Sequence, residues 1–169
     1  MRVLLTCFAL LAQCMFASAA VAQQADQSSQ TATTVCDFDD GKEISVQYSK
    51  AEVEKNEPHN GKVWEPGGTA MTLYTQTPVV LNNVEIPVGA FSMYVIPNRK
   101  DWTLIVNRNV TAPTKYDQTQ DMARASMEIG DLSQPVKPLQ VVLAHMGPKL
   151  CSIRLYYDTA GALTQFTEK

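Results

Sequence analysis

From Lys62 to Asn107 the chain reads KVWEPGGTAMTLYTQTPVVLNNVEIPVGAFSMYVIPNRKDWTLIVN, a succession of short alternating or wholly apolar runs cut by turn residues. Side chains of a strand alternate between faces, so Met71, Leu73 and Thr75 share one face, opposite Ala70, Thr72 and Tyr74. Val79-Val80-Leu81 and Val84-Glu85-Ile86 flank Asn82-Asn83, a pair that tolerates positive φ, which predicts a tight hairpin. Pro87-Val88-Gly89 fits a further turn. Phe91 to Ile96 is apolar on both faces apart from Ser92, so this strand needs cover on both sides. Asn98 to Asp101 then turns the chain into a strand on which Trp102, Leu104 and Val106 face one way.

The flanking sequence continues the pattern. Val35 to Phe38 reads as a short first strand, Asp39 to Lys42 as a turn, and Glu43 to Ser49 as a half-buried strand with Ile44, Val46 and Tyr48 inward. Lys50 to Asn60 holds one aliphatic residue larger than Ala, Val53, which predicts a loop or a single helical turn. Arg108 to Gln120 is a long polar excursion, and connections of that length in a compact domain are often functional. Strands follow at Met122–Ile129, with Ala123, Ala125, Met127 and Ile129 inward, then at Leu139–Met146 and Leu150–Tyr157. Pro135 and Pro138 bracket a turn between the first two, Gly147-Pro148-Lys149 joins the last two, and Leu163–Thr167 forms a final edge strand. Eight to ten short strands, turn signals about every eight to twelve residues and no helix of three turns predict an all-β, single-domain antiparallel sandwich, of jelly-roll or Greek-key type.

The N-terminus predicts export. Arg2 precedes an apolar run from Val3 to Phe16, and Ala17 to Ala22 supplies the small residues of a cleavage site before Gln23. Residues 1–22 are thus expected to be a signal peptide cut near Ala22, leaving no retained membrane span and a periplasmic or secreted protein. Gln23 to Thr34, polar and low in complexity, reads as a flexible linker, so the β domain is expected over residues 35–169. The mature chain would have 13 Lys+Arg (14 less Arg2) against 17 Asp+Glu, interspersed, which offers no basic stripe to nucleic acid. It keeps two of the four cysteines, Cys36 and Cys151. In an oxidising compartment they make a candidate disulfide; the alternative is two separately buried thiols.

Three motifs then carry a likeness. Gly61-Lys62-Val63-Trp64 with Gly67, Ile86 to Pro97, and Asp101 to Asn107 together resemble a bacterial exported family known as domain of unknown function 2911, over about Glu43 to Tyr157. Where that family usually has Arg-Thr after the Trp, this chain has Glu65-Pro66, and its segment between Tyr48 and Gly61 is short. The resemblance implies an exported β-rich domain and brings no mechanism with it.

Chemistry is sparse. There is no nucleophile elbow, no phosphate loop and no metal-ligand spacing; His59 and His145 are the two histidines, and nothing in the spacing joins them. No metal and no cofactor are expected. Trp64-Glu65-Pro66-Gly67-Gly68 is the leading site candidate, since a Trp offers a flat apolar face and glycines let another backbone come close. The competing reading is a Trp that plugs the end of the core over a glycine-shaped turn. Trp102 reads as core, whereas Tyr74, Tyr94 and Tyr116 fit either a groove or ordinary strand positions. Trp64, Glu65, Gly67 and Tyr116 are the residues expected to touch a ligand. Two functions stay open. One is a non-catalytic exported domain that binds a small molecule, a glycan or an envelope protein. The other is a hydrolase-type enzyme, with or without a metal, built on His59 and loop carboxylates such as Glu65, Asp101, Asp117 and Asp121.

Overall fold

The computed structural model describes residues 31–50, 57–111 and 115–169. The signal-peptide expectation, most of the linker, most of the Lys50–Asn60 segment and Pro113 lie outside the described residues.

Nine strands form one antiparallel sheet: β1 Thr31–Asp37, β2 Glu43–Ser49, β3 Met71–Thr75, β4 Val79–Leu81, β5 Val84–Ile86, β6 Gly89–Pro97, β7 Trp102–Asn107, β8 Asp121–Gly147 and β9 Leu150–Glu168. Their spatial order is β1-β2-β3-β6-β7-β8-β9-β4-β5. The chain is all-β; among the described residues the only helical turns are short 3-10 pieces at Pro66–Gly68 and Gln118–Gln120.

Strand β8 makes the sheet fold over its own core. Its first residues, Asp121 to Met127, pair with β7, and the remainder pairs with β9. Far along β8, the Leu143 amide donates to Thr34 Oγ1 (2.9 Å) on edge strand β1, so the far end of the sheet returns to its beginning. Cys36 of β1 is bonded to Cys151 of β9 across the same seam. One hydrophobic cluster results, with Ile44, Leu73, Met93, Leu104, Met127, Ile153 and Phe166 all fully buried. This arrangement is compatible with the expected sandwich.

Several local expectations match. Asn82 and Asn83 take φ of 48° and 63° between β4 and β5, the left-handed pair of a tight hairpin. Ile44, Val46, Tyr48, Trp102, Leu104 and Val106 are buried as the alternation required.

Others need correction. The expected strand count holds, but the last two strands are 27 and 19 residues long rather than short. Pro135 and Pro138 do not turn the chain: the β8–β9 register slips between Asp131 and Val136 and again between Val136 and Gln140. A proline cannot donate to the ladder, and here the strand bulges past it and continues. Leu163–Thr167 is not an edge strand either, since Thr167 pairs with Val80 of β4. Ile129 is 37% exposed rather than inward. Finally, β1 starts at Thr31, inside the stretch expected to be linker. Thr31, Thr33 and Thr34 are β-branched and ladder against Ser49, Gln47 and Val46, which is enough to extend the strand.

Candidate functional site

Strand β6 sorts the candidate residues. Phe91, Met93 and Val95 point into the core; Ser92 and Tyr94 point to the outer face, yet both are buried. On β7, Ile105 and Asn107 of the same outer face are also fully buried. The described parts of the returning segment, Arg108–Thr111 and Lys115–Gln120, meet Ser92, Tyr94 and Asn107 there, and the neck of the segment is closed by Arg108 N donating to Gln120 O at 2.9 Å.

A polar network ties that segment down. Asn107 Nδ2 donates to the Asp117 carbonyl (2.8 Å) and to Asp121 Oδ1 (2.8 Å), while its Oδ1 accepts from Asn109 N (2.9 Å). Ser92 Oγ donates to the Asn109 carbonyl at 2.6 Å. Asp117 Oδ1 accepts from Thr119 N and Oγ1, which holds its carboxyl below the usual carboxylate range. Asp121 Oδ2 accepts from Tyr116 Oη (2.9 Å) and from Arg124 Nε and Nη2 (2.9 and 2.6 Å), and Arg124 Nη2 also donates to Tyr116 Oη (2.7 Å). Burial, reinforced by the bond to Asp121, pushes the Tyr116 phenol up; the bond to Asp121 pushes Arg124 up. The Tyr116 ring meets Tyr94 edge-on, centroids 5.0 Å apart at 66°. Edge-to-face pairs of this kind contribute about 0.5–1.5 kcal/mol beyond their burial. The Tyr94 hydroxyl, wholly buried beneath, has no hydrogen-bond partner among the described residues.

Trp64 lies on the other side of the sheet. Its backbone pairs with Val95, N to O at 2.7 Å and O to N at 3.0 Å, beside the end of β3. That places its ring in the core, where it meets Trp102 edge-on at 5.8 Å and Tyr157 at 5.0 Å and is 4% exposed. The plug, not an open apolar face, is what the structure shows for this Trp. Gly67 is close to a backbone, but that backbone belongs to this chain: a Cβ built on it would collide with the Ser49 carbonyl oxygen, and its φ is +82°. Pro66 is buried and Glu65 half-buried, its carboxyl pushed up by that burial. Adjacent residues of one strand, Tyr94 and Val95, thus carry Tyr116 and Trp64 to opposite faces, and the structure does not bring the two together.

The histidines stay apart from both. His145 Nδ1 lies 2.8 Å from the Asp37 carbonyl oxygen and its Nε2 3.5 Å from Asp39 Oδ1, all near the β8–β9 turn. His59 is exposed and accepts from Lys62 N through its own carbonyl. Asp101 accepts from Ser126 Oγ at 2.9 Å. Among the described residues no group of three or more His, Cys, Asp or Glu side chains converges as a metal site would.

The contacts of Asn109 with Ser92, of Tyr116 with Tyr94 and of Asp117 with Asn107 fall on β6 and β7; the same outer face continues toward β1. Its described positions there are Thr31, Thr33 and Val35 on β1, Ser45, Gln47 and Ser49 on β2, and Ala70, Thr72 and Tyr74 on and beside β3, none of them charged. A hollow of about 200 Å³ opens between Thr31, Gln47, Ser49, Thr69 and Thr72. Sequence reasoning named Tyr74 and Tyr116 but missed Asn107 and Arg124, whose value lies in partners brought together only by the fold.

Residues 29–165 match a family model described as "Protein of unknown function (DUF2911)". No curated protein and no solved structure matches the chain. The match runs past both ends of the three motifs and across all nine strands but for the last residues of β9, Phe166 to Glu168. The chain belongs to the DUF2911 family.

Proposed function

We propose that this protein is an exported, non-catalytic binding domain whose ligand-contacting surface is the outer face of the β1–β2–β3–β6–β7 part of the sheet. The observation that carries the reading is the way that face is built. Over β6 and β7 it carries the described parts of the 108–120 segment, pinned through buried Asn107, and over β1–β3 it presents an uncharged polar hollow. A polar surface with a defined concavity, set on strands and bordered by an anchored loop, is how binding sites are commonly carried by β folds. Tyr116 belongs to the border of this surface. Gly67 supports it by packing on Ser49, at the rim of the hollow, while Trp64 lies in the core against Trp102 and Tyr157. Export is supported by the Cys36–Cys151 bond, because disulfides persist in oxidising compartments.

Native mass spectrometry of the protein recovered from the extracytoplasmic fraction, beside elemental analysis, tests this. The expected result is a chain beginning near Gln23, disulfide-bonded, carrying an organic ligand. A stoichiometric metal would overturn the non-catalytic reading. An intact Met1 on a cytoplasmic protein would overturn export.

A further inference from the structure

We propose that the hollow on the outer face of β1–β2–β3 is a saccharide subsite, taking one neutral sugar ring of a glycan, with Tyr74 beside the hollow as the stacking platform for the adjoining ring. This rests on the binding reading above and names the ligand class for it.

The charge pattern comes first. Across Thr31–Val35, Ser45–Ser49 and Ala70–Tyr74 the outward positions carry no formal charge; the charges begin only at Asp37 and Glu43 at one end and Lys50 at the other. Anionic ligands are held by arginine and lysine, which supply charge-assisted bonds. A face without them suits a neutral ligand.

Donor chemistry narrows the class. The hydroxyls of Thr31, Thr69 and Thr72 can both donate and accept, and the Gln47 amide offers two donors and a carbonyl. A sugar ring presents the same mixed chemistry along its edge, one hydroxyl after another. An apolar ligand would leave these groups unmatched, and unmatched polar groups weigh against binding.

The aromatic residue supplies the flat contact. Tyr74 is 44% exposed, the one exposed aromatic ring among the described residues. Its cross-strand neighbours are Ser45 and Ala90, both small. It lies two residues along β3 from Thr72, roughly 7 Å, and diagonal to Gln47, a separation long side chains bridge. The axial C–H groups of a pyranose present an apolar underside, and a tyrosine pairs an apolar face with a polar tip.

Size agrees with a single ring. The hollow, about 200 Å³, falls below the roughly 300–1,000 Å³ of pockets that enclose a drug-sized ligand. The adjoining ring of the glycan would lie over Tyr74.

The test is calorimetric titration of the oxidised mature protein with hexamers of β-1,4-glucan, β-1,4-mannan, β-1,4-xylan and chitin, with galacturonan as the charged control. At least one neutral hexamer is expected to bind saturably. Tyr74→Ala should weaken it about tenfold or more, Tyr74→Phe should restore it, and Thr72→Trp, which fills the hollow, should abolish it. Circular dichroism and intact mass check that each variant is folded and bridged. No neutral hexamer binding, or binding indifferent to both Tyr74→Ala and Thr72→Trp, overturns the saccharide inference. If a co-purifying ligand is lost from Thr72→Trp while no hexamer competes for it, the inference falls and the binding reading stands. If Thr72→Trp retains that ligand, both fall.

Discussion

Gly41 and Gly67 share one backbone conformation and differ in their surroundings. Both have φ of +82°; a Cβ on Gly41 meets nothing within 4 Å, whereas one on Gly67 collides with the Ser49 carbonyl oxygen and sits 3.1 Å from its carbon. Alanine at either position should cost about 1–2 kcal/mol for the left-handed backbone. It regains about 0.4–1 kcal/mol by restricting the unfolded chain. Gly41→Ala is therefore expected to destabilise by about 0–1.6 kcal/mol. Gly67→Ala carries the same terms plus an overpacking cost of about 1–3 kcal/mol, because the clash is with a backbone that cannot swing aside. Urea unfolding followed by the fluorescence of Trp64 and Trp102 reads both, and equal m-values would confirm that only stability changed. The expected excess for Gly67→Ala over Gly41→Ala is about 1–3 kcal/mol. An excess below about 0.5 kcal/mol would refute the packing argument, since additional strain at a fixed carbonyl could not then be setting the glycine. That outcome would return Gly67 to the role first expected of it, close approach to a ligand.

Three further outcomes follow from the same coordinates. Reducing Cys36–Cys151, which are 115 residues apart in sequence, should destabilise by about 4–5 kcal/mol in the chain-entropy account, read as a shift of the urea midpoint; less than about 1 kcal/mol would contradict a constrained unfolded chain. Trp64→Ala should cost about 3–5 kcal/mol from its buried position between Trp102 and Tyr157, and a variant that unfolds like the parent chain would show that the plug carries no packing energy. Burial, with Glu57 and Asp158 adding to it, pushes the Tyr157 phenol up to about 12. The unfolded phenol loses its proton first, so this group lowers stability as pH rises from about 10 to 12 and leaves it unaffected below that window. Tyr157→Phe should flatten that alkaline slope in a pH series of urea midpoints, and an unchanged slope would assign it to another group.

How far the sequence was legible depends on how local each determinant is. Asn82-Asn83 and the Met71–Thr75 alternation are read within a few residues, and the structure matches them. The two prolines of β8 were misread because a proline reports a missing donor, not a turn; only the pairing partner decides between a bulge and a reversal. The start of β1 was missed because threonines in a polar stretch look like linker until β2 lies beside them. For the site, Trp64 was visible as a residue but not its side of the sheet, which follows from the pairing with Val95. Asn107 gave no signal at all, since its three bonds reach residues from 2 to 14 positions away.

The double-sided burial of β6 ties these points to function. An apolar run on both faces was expected to need two covers, and it has them: the core on one side and Arg108–Gln120 on the other. The second cover rests on polar groups, and hydrogen bonds of this kind contribute only about 0.5–1.5 kcal/mol each, so it is held by their number and by the Tyr94–Tyr116 contact. Were cover the only requirement, apolar side chains on the segment would achieve it more simply, without burying Asn107 or a tyrosine hydroxyl that lacks a partner among the described residues. The roof is instead an anchored wall over β6 and β7, on the same outward side of the sheet as the uncharged hollow of β1–β3, and it is held in place through Asn107. Asn107→Ala should loosen that wall. Amide exchange over Asn109–Thr111 and Lys115–Gln120, compared with that over β2, would show it; uniform protection in the variant would mean that the wall stands without its anchor.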